Sequence, residues 1–450
     1  MAIYQKIIVG IAVWFGFVQI AAAQNGGDST ARASKWSFHF QATVIGQQHS
    51  GFRSMYRGDN SLADSVEPTA QSLTATIFVG RRLWKGAAFY FNPEVSGGKG
   101  LSSASGVAGA LNGETYRVGA VQPQVFIARA YLQQHFRLGK AEEDIADDVN
   151  QVADKVPSSR ITVSIGKFAM EDFYDNNAYG KDPRTQFFNW SVWANGAWDY
   201  PANTRGYTEG VVVELIKPKY AIRISTVAVP RIANYHLMEY NGHAHAETFE
   251  FQHQLQFGQR SGTIRFLVSS AWNRAPSYKQ GLAAIASQDT FLLHVIRGAS
   301  ENTTYGGHKY GLGLNIDQQL SDDLGFFCRV GWNDGKYVTW AFTEIDRTLS
   351  GGLALKGTKW KRRNDVAGIA GVVNGVSPDH RDFLAAGGYG FILGDGRLNY
   401  GHEGILETYY NAQLNRFLQL TFDYQYVNHP GYNKDRGPVH VFGLRGHIMF

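Results

Sequence analysis

From Trp36 onward, apolar and polar residues take turns along the chain. Trp36, Phe38, Phe40, Ala42 and Val44 interleave with Ser37, His39, Gln41 and Thr43. The same period of two returns in the middle, where Phe249, Phe251, Leu255 and Phe257 alternate with Glu250, Gln252, Gln254 and Gln256. It returns again near the end, where Leu418, Leu420, Phe422, Tyr424 and Tyr426 alternate with Gln419, Thr421, Asp423 and Gln425. Successive side chains of a strand point to opposite faces, so each segment predicts a strand with one apolar and one polar side. In a soluble sandwich the apolar side would face a core; in a membrane barrel it faces lipid while the polar side lines a wet lumen. Aromatic residues at the segment ends favour the barrel, whose rims carry aromatic girdles.

The connections separate the two readings further. Strands are predicted at 36–45, 72–82, 87–96, 124–137, 159–168, 206–216, 219–229, 246–257, 262–272, 308–320, 324–333, 348–357, 364–375, 403–414, 417–428 and 438–450. Tight links such as Lys217-Pro218-Lys219, Ser321-Asp322-Asp323 and Asn415-Arg416 alternate with long ones. Tight turns on one side and long loops on the other mark bacterial outer-membrane barrels, and an even count leaves both termini in the periplasm. The fold class is therefore all-β: a transmembrane antiparallel β-barrel of about 16 strands with short periplasmic turns. The link from Gly139 to Ser158 breaks the rule, being long and acidic on the tight side. Ile145, Val149, Val152 and Val156 recur there at spacings of three or four, which predicts a short amphipathic periplasmic helix.

The ends of the chain fit this reading. Lys6, an apolar run from Ile7 to Ile20 and then Ala21, Ala22 and Ala23 have the three-part plan of a secretory signal, with cleavage expected after Ala23. Two regions follow, a signal peptide at 1–23 and a barrel domain at 24–450. Phe450 ends the last strand on the same face as Ile448, Leu444 and Phe442, a terminal aromatic of the kind the outer-membrane assembly machinery reads. Cys328 is the one cysteine, so no internal disulfide holds the fold, and no lipid-anchoring cysteine follows the cleavage site. A mean hydropathy of −0.26 excludes a bundle of membrane helices, and a net charge of +5 is too small to suggest nucleic acid. Lys359, Lys361, Arg362 and Arg363 form a lone basic cluster, read as a solvated turn.

Several strings resemble the carbohydrate-selective porin family, the OprB-type porins. They run from Trp360 to Asp365, then Gly368, Ser377-Pro378, Arg381 and Gly387-Gly388. Gly394-Asp395-Gly396, Glu403, Glu407, Tyr409 and Tyr410 follow, then Asp423, Gln425, Asn428, Pro430, Gly431, Arg445 and Phe450. Upstream, Asn92-Pro93-Glu94 and the run from Asp172 to Pro201, with Gln186-Phe187-Phe188-Asn189, look like the family's third strand and long third loop. The resemblance implies sixteen strands, an inward-folded third loop that narrows the channel, and passive diffusion of carbohydrates or small neutral solutes across the outer membrane. The chain ahead of the first strand is short for the family, which puts a periplasmic plug of N-terminal helices in doubt.

Alternation also says which groups should face the lumen. Arg129 and Tyr131, Arg223, Arg265 and Arg329 sit on polar phases, as do Glu94, Glu250, Glu403, Glu407 and Asp423. Charges of both signs in one lumen cancel the long-range field and favour neutral solutes, whereas these same residues could equally pair to stiffen the wall. Third-loop residues 169–205 add Asp175 and Arg184 for hydroxyls and Trp190 and Trp193 among many rings that could stack on a pyranose, most of them expected to pack in a small core of the loop's own. The expected channel-lining set is thus Glu94, Arg129, Tyr131, Asp175, Arg184, Trp190, Trp193, Arg223, Arg265, Arg329, Glu403, Glu407 and Asp423. No cofactor, metal or catalytic residue is expected. His243 and His245 lack a third ligand, and Gly387 to Gly396 lacks the strand-then-helix setting of a dinucleotide site. Expected partners are mono- or oligosaccharides, outer-membrane lipid and, through Phe450, the assembly machinery, with a homotrimer left open. The competing readings are a general or ion-selective porin, a surface adhesin, and a barrel enzyme needing a nucleophile beside a His on the outer wall, for which the sequence offers no trio.

Overall fold

A computed structural model describes residues 34–115 and 120–450. The expected signal peptide therefore lies outside the described residues. Sixteen strands close into one antiparallel barrel. In chain order they are β1 Trp36–His49, β2 Ala70–Arg82, β3 Ala87–Gly98, β4 Gln124–Arg137, β5 Arg160–Phe168, β6 Thr208–Ile216, β7 Tyr220–Val227 and β8 His245–Phe257. The second half comprises β9 Arg260–Asn273, β10 Gly307–Gln319, β11 Leu324–Asn333, β12 Arg347–Gly357, β13 Arg362–Gly375, β14 Glu403–Gln413, β15 Leu418–Asn428 and β16 Val439–Met449. Every predicted strand has its counterpart. The largest boundary difference is the end of the first, predicted at 45 and observed at His49. Closure comes from β16 against β1, in register from Gln41 opposite Met449 to His49 opposite Val441. A closed ladder leaves no edge with unpaired amides, the condition for backbone to cross hydrocarbon.

The apolar phases face outward. Phe38, Val44, Phe249, Phe266, Leu312, Leu349, Phe422 and Phe442 are exposed on the outer wall, while Thr43, Thr74, Thr76, Glu94, Glu250, Asn315 and Gln425 are buried inside. Trp84 and Trp360 mark the periplasmic rim, and Trp272, Tyr310 and Trp332 the extracellular one. Of the basic cluster near residue 360, Lys359 and Lys361 lie on the turn between β12 and β13 and Arg362 and Arg363 open β13, all four exposed. Pro93, with no N–H to give the ladder, coincides with a shift in register between β3 and β4, so that Asn92 faces Arg129 and Pro93 faces Ile127. Ala128 is the extra residue of that bulge.

One expectation is overturned. The segment 138–159 forms a hairpin rather than a helix, with Glu142–Ile145 paired antiparallel to Asp154–Pro157. The spacing of its apolar residues has a different cause. Val152 and Val156 are buried, but in contacts made by a hairpin and its tip, not along one helical stripe.

On the extracellular side, loops 274–306 and 376–402 carry short helices that cap part of the barrel. With α1 at Trp190–Trp193 in the third loop, these are α2 Tyr278–Ser287, α3 Thr290–Ile296 and α4 Pro378–Ala385. Ser277 and Ser377 cap the first and last of the three by accepting from Gln280 N and His380 N. Buried Tyr278 stacks on His380, ring centroids 4.1 Å apart.

A charged constriction held by buried anchors

The third loop, 169–207, folds into the lumen. Close approach to β10 and β11 requires glycine there: a Cβ on Gly331 would lie 2.0 Å from Asn195 Oδ1, and one on Gly313 2.5 Å from Asn195 Nδ2. The loop's rings pack not in a core of their own but in one shared with the wall and a neighbouring loop: Phe187 meets Phe327 and Tyr409, and Tyr200 meets Phe342. Trp190 and Trp193 are 1% exposed, and Trp190 meets Phe342 edge to face at 5.1 Å. These two tryptophans therefore stand behind the lumen surface rather than on it.

Four carboxylates and arginines of the wall hold the inward loops, and they do so largely through main chain. Arg329 is fully buried and donates from Nε to both oxygens of Asp175 at 3.1 Å. It also reaches the carbonyl oxygens of Val192 and Asp175 at 3.3 Å. Asp175 in turn accepts from Asn315 and from the Asn195 amide. Glu407 accepts from the amides of Phe188 and Asn189. Glu403 accepts from Ala108 and Gly109 of the second loop and Gly431 of the last, at 2.8–2.9 Å. Arg445 donates to the carbonyls of Pro183 and Gln186. Asp423, beside this group, accepts from Gln425 at 3.1 Å. A buried charge is costly unless it is paired or hydrogen-bonded, as most of these atoms are.

The remaining charges meet nearer the open lumen. Arg129 makes a two-pronged contact with Asp172, both bonds 2.7 Å, and its guanidinium lies 5.3 Å from the Tyr207 ring centre. Arg184, at the far end of the loop, reaches back to Glu114 at 3.2 Å and Glu94 at 3.5 Å. Burial works against the charge of Arg184, but Glu114 and then Glu94 outweigh it and hold the group above its ordinary pKa. Glu94 also accepts from Thr76 and Tyr207, and Glu114 from Thr74. Across the lumen Arg223 donates to Glu214, Glu250 and Gln252, each at 2.9 Å. Arg265 pairs with Asp317 at 2.5 Å. Tyr131 is buried against Tyr90, centroids 5.0 Å apart, and against Phe168 and Phe173.

The expected residues thus fall into two sets. Arg129, Arg184, Glu94 and Arg223, with Arg265 below them, form charge pairs around the lumen; Asp175, Arg329, Glu403 and Glu407 lie under the loops. Asp172, Glu114 and Glu214 complete these pairs and lie outside the expected set, Glu114 because the second loop gives no sign in the sequence that it too turns inward. His243 is exposed and His245 bonds Glu247, and no cluster able to hold a metal occurs among the described residues.

The family model described as carbohydrate-selective porin, OprB family, matches residues 79–450. Among solved structures, the high-pH structure of Pseudomonas putida OprB is similar with a TM-score of 0.67 at 14% identity, over 94% of this chain and 100% of that one. The outer membrane channel DcaP of Acinetobacter baumannii gives a TM-score of 0.49 at 10% identity, over 93% and 99%. No curated protein matches the chain.

Proposed function

This chain belongs to the carbohydrate-selective porin, OprB family, an outer-membrane channel for carbohydrate diffusion, and from that premise we propose that solute crosses the membrane between the wall and the third loop at the level of Arg129 and Asp172. The observation that supports the site is the pairing of opposite charges around the lumen: Arg129 with Asp172, Arg184 with Glu94 and Glu114, and Arg223 with Glu214 and Glu250. Neutralised pairs leave little field to sort ions, yet they offer a dense set of donors and acceptors with which sugar hydroxyls exchange hydrogen bonds. The preference is therefore for neutral, hydroxyl-rich solutes.

Planar-bilayer recording tests this. The unaltered protein should show a small conductance lowered by added oligosaccharide and a reversal potential near zero in a salt gradient. Arg129→Ala leaves the Asp172 carboxylate uncompensated, so the reversal potential should move toward cation selectivity. Losing a net hydrogen bond of about 1 kcal/mol should raise the sugar concentration that half-blocks the current by a factor of about 3–10. An Arg129→Ala channel with unchanged block and selectivity would remove Arg129 from the pathway.

The proposal assigns the protein no hydrolytic role. One Ser–His pair does lie on the outer wall near the extracellular rim, with Ser270 Oγ 3.0 Å from His308 Nε2. Trp272 stacks on that imidazole at 3.6 Å and 8°. Ser270 faces Tyr310 in the ladder, so the surrounding amides are engaged between strands and offer no paired donors for an oxyanion. Detergent-solubilised protein is expected to cleave p-nitrophenyl butyrate no faster than its Ser270→Ala variant; a rate that falls with that change would reopen the enzyme reading.

A further inference from the structure

The hairpin between β4 and β5 occupies the periplasmic side of the barrel, where the other strand pairs are joined by short turns. Its tip turns up into the mouth of the lumen and seats on the inner faces of β1 to β3. Asn92 Nδ2 donates to Asn150 Oδ1 at 2.8 Å, Arg82 pairs with Asp154 at 2.7 Å, and His39 meets Asp147 at 3.2 Å. Val152 is 2% exposed and lies so close to β2 that a Cβ on Gly80 would come within 2.7 Å of its Cγ2. Three ion pairs fasten the base of the hairpin: Arg137 with Glu142, Arg160 with Glu143 and, within it, Lys155 with Asp144.

The height of these contacts matters. Asn92, which holds the tip, faces Arg129 across β3 and β4. Glu94 is the next inward residue above it, about 6.6 Å along the strand at roughly 3.3 Å per residue. The tip therefore lies directly under the Arg129–Asp172 and Arg184–Glu94 pairs, on the same side of the lumen. On the far side, beneath the third loop, a cavity of about 320 Å³ lined by Tyr179, Gln186, Asp322, Lys356, Asn364 and Asn411 stays open. The hairpin's six carboxylates, from Glu142 to Asp154, bring little net field, because Glu142, Glu143, Asp144 and Asp154 are paired with Arg137, Arg160, Lys155 and Arg82, and Asp147 meets His39.

We propose that residues 139–158 are a second constriction, in series with the third loop, that sets the size limit at the periplasmic exit. The inference rests on the chain being an open channel. Solute that has cleared Arg129 then passes the half-exposed tip at Asn150, beneath which Asn92 and Val152 are buried, before it reaches the periplasm. The path out is confined to the side away from β1 to β3.

The test replaces residues 140–157 with a Gly-Ser-Gly turn and compares the variant with the unaltered protein in bilayers and in liposome swelling. Conductance in potassium chloride is expected to rise about twofold for a pore relieved of one of two resistances in series. Swelling should quicken more for a trisaccharide than for a monosaccharide. A variant equal to a conducting parent in both would overturn the proposal, whereas a parent that does not conduct would instead count against the channel reading. If the shortened barrel does not assemble, Asn150→Cys in a Cys328→Ser background keeps the question open to measurement. A bulky neutral thiol reagent should then lower its conductance, and current unaffected by complete labelling would place the tip outside the pathway and overturn the proposal.

Discussion

Arg329→Ala is expected to release the third loop while the barrel still assembles, and so to widen the pore rather than destroy it. The arginine is fully buried and is gripped by a two-pronged bond to Asp175. Its removal strands the Asp175 carboxylate, with only Asn315 and the Asn195 amide to satisfy it, at the foot of the loop. Breaking one partner out of a buried pair costs about 3–5 kcal/mol. None of that cost falls on the strand ladder, so it should appear as local opening: faster amide exchange over 175–195, larger conductance and weaker sugar block, with heat-resistant mobility on gels preserved. Arg329→Lys keeps the charge but not the fork and should fall between the two. Exchange and conductance both unchanged in Arg329→Ala would show that Glu407 and Arg445 suffice to hold the loop.

Deleting Phe450 should act at an earlier stage. Its amide donates to Phe40 O at 2.9 Å and its carbonyl accepts from Phe40 N at 3.2 Å, so it extends the seam that closes β16 on β1. Its ring lies 4.7 Å from that of Phe417 and 6.2 Å from that of Phe40. Phe450 is 36% exposed on the outer wall, so losing its ring contacts removes only part of the roughly 1.5–3 kcal/mol that full burial of such a side chain supplies. The amount of protein in the outer membrane should therefore fall several-fold, each factor of ten corresponding to about 1.4 kcal/mol. Phe450→Leu should recover much of the loss, and surface levels of the deletion equal to those of the unaltered chain would show that closure and targeting do not depend on this residue.

The barrel was written plainly in the chain because strand alternation is local: inward residues such as Arg223, Arg265 and Glu250 lie between two outward apolar neighbours, and no distant residue is needed to see it. Turn lengths were equally visible, which is why the strands from β1 to β16 could be counted. The hairpin at 138–159 misled because Ile145, Val149, Val152 and Val156 have helical spacing by position alone. What buries Val152 is the inner face of β2, a partner far away in sequence. The site was legible only halfway. Phase identified Arg129, Glu94 and Arg223 as inward, but phase cannot separate a charge that meets water from one roofed by a loop. Glu403 is the clearest case, since its ligands are amides at 108, 109 and 431, more than two hundred residues away on one side. Trp190 and Trp193 likewise have the composition of a sugar platform and the burial of a core.

The grip of Glu403 and Glu407 on backbone amides has an evolutionary corollary. A peptide N–H is the same whatever side chain it carries, so the sockets on the wall accept any loop sequence able to trace the same path. New solute preferences could then arise by exchanging inner-loop residues one at a time, without renegotiating how the loop is fastened.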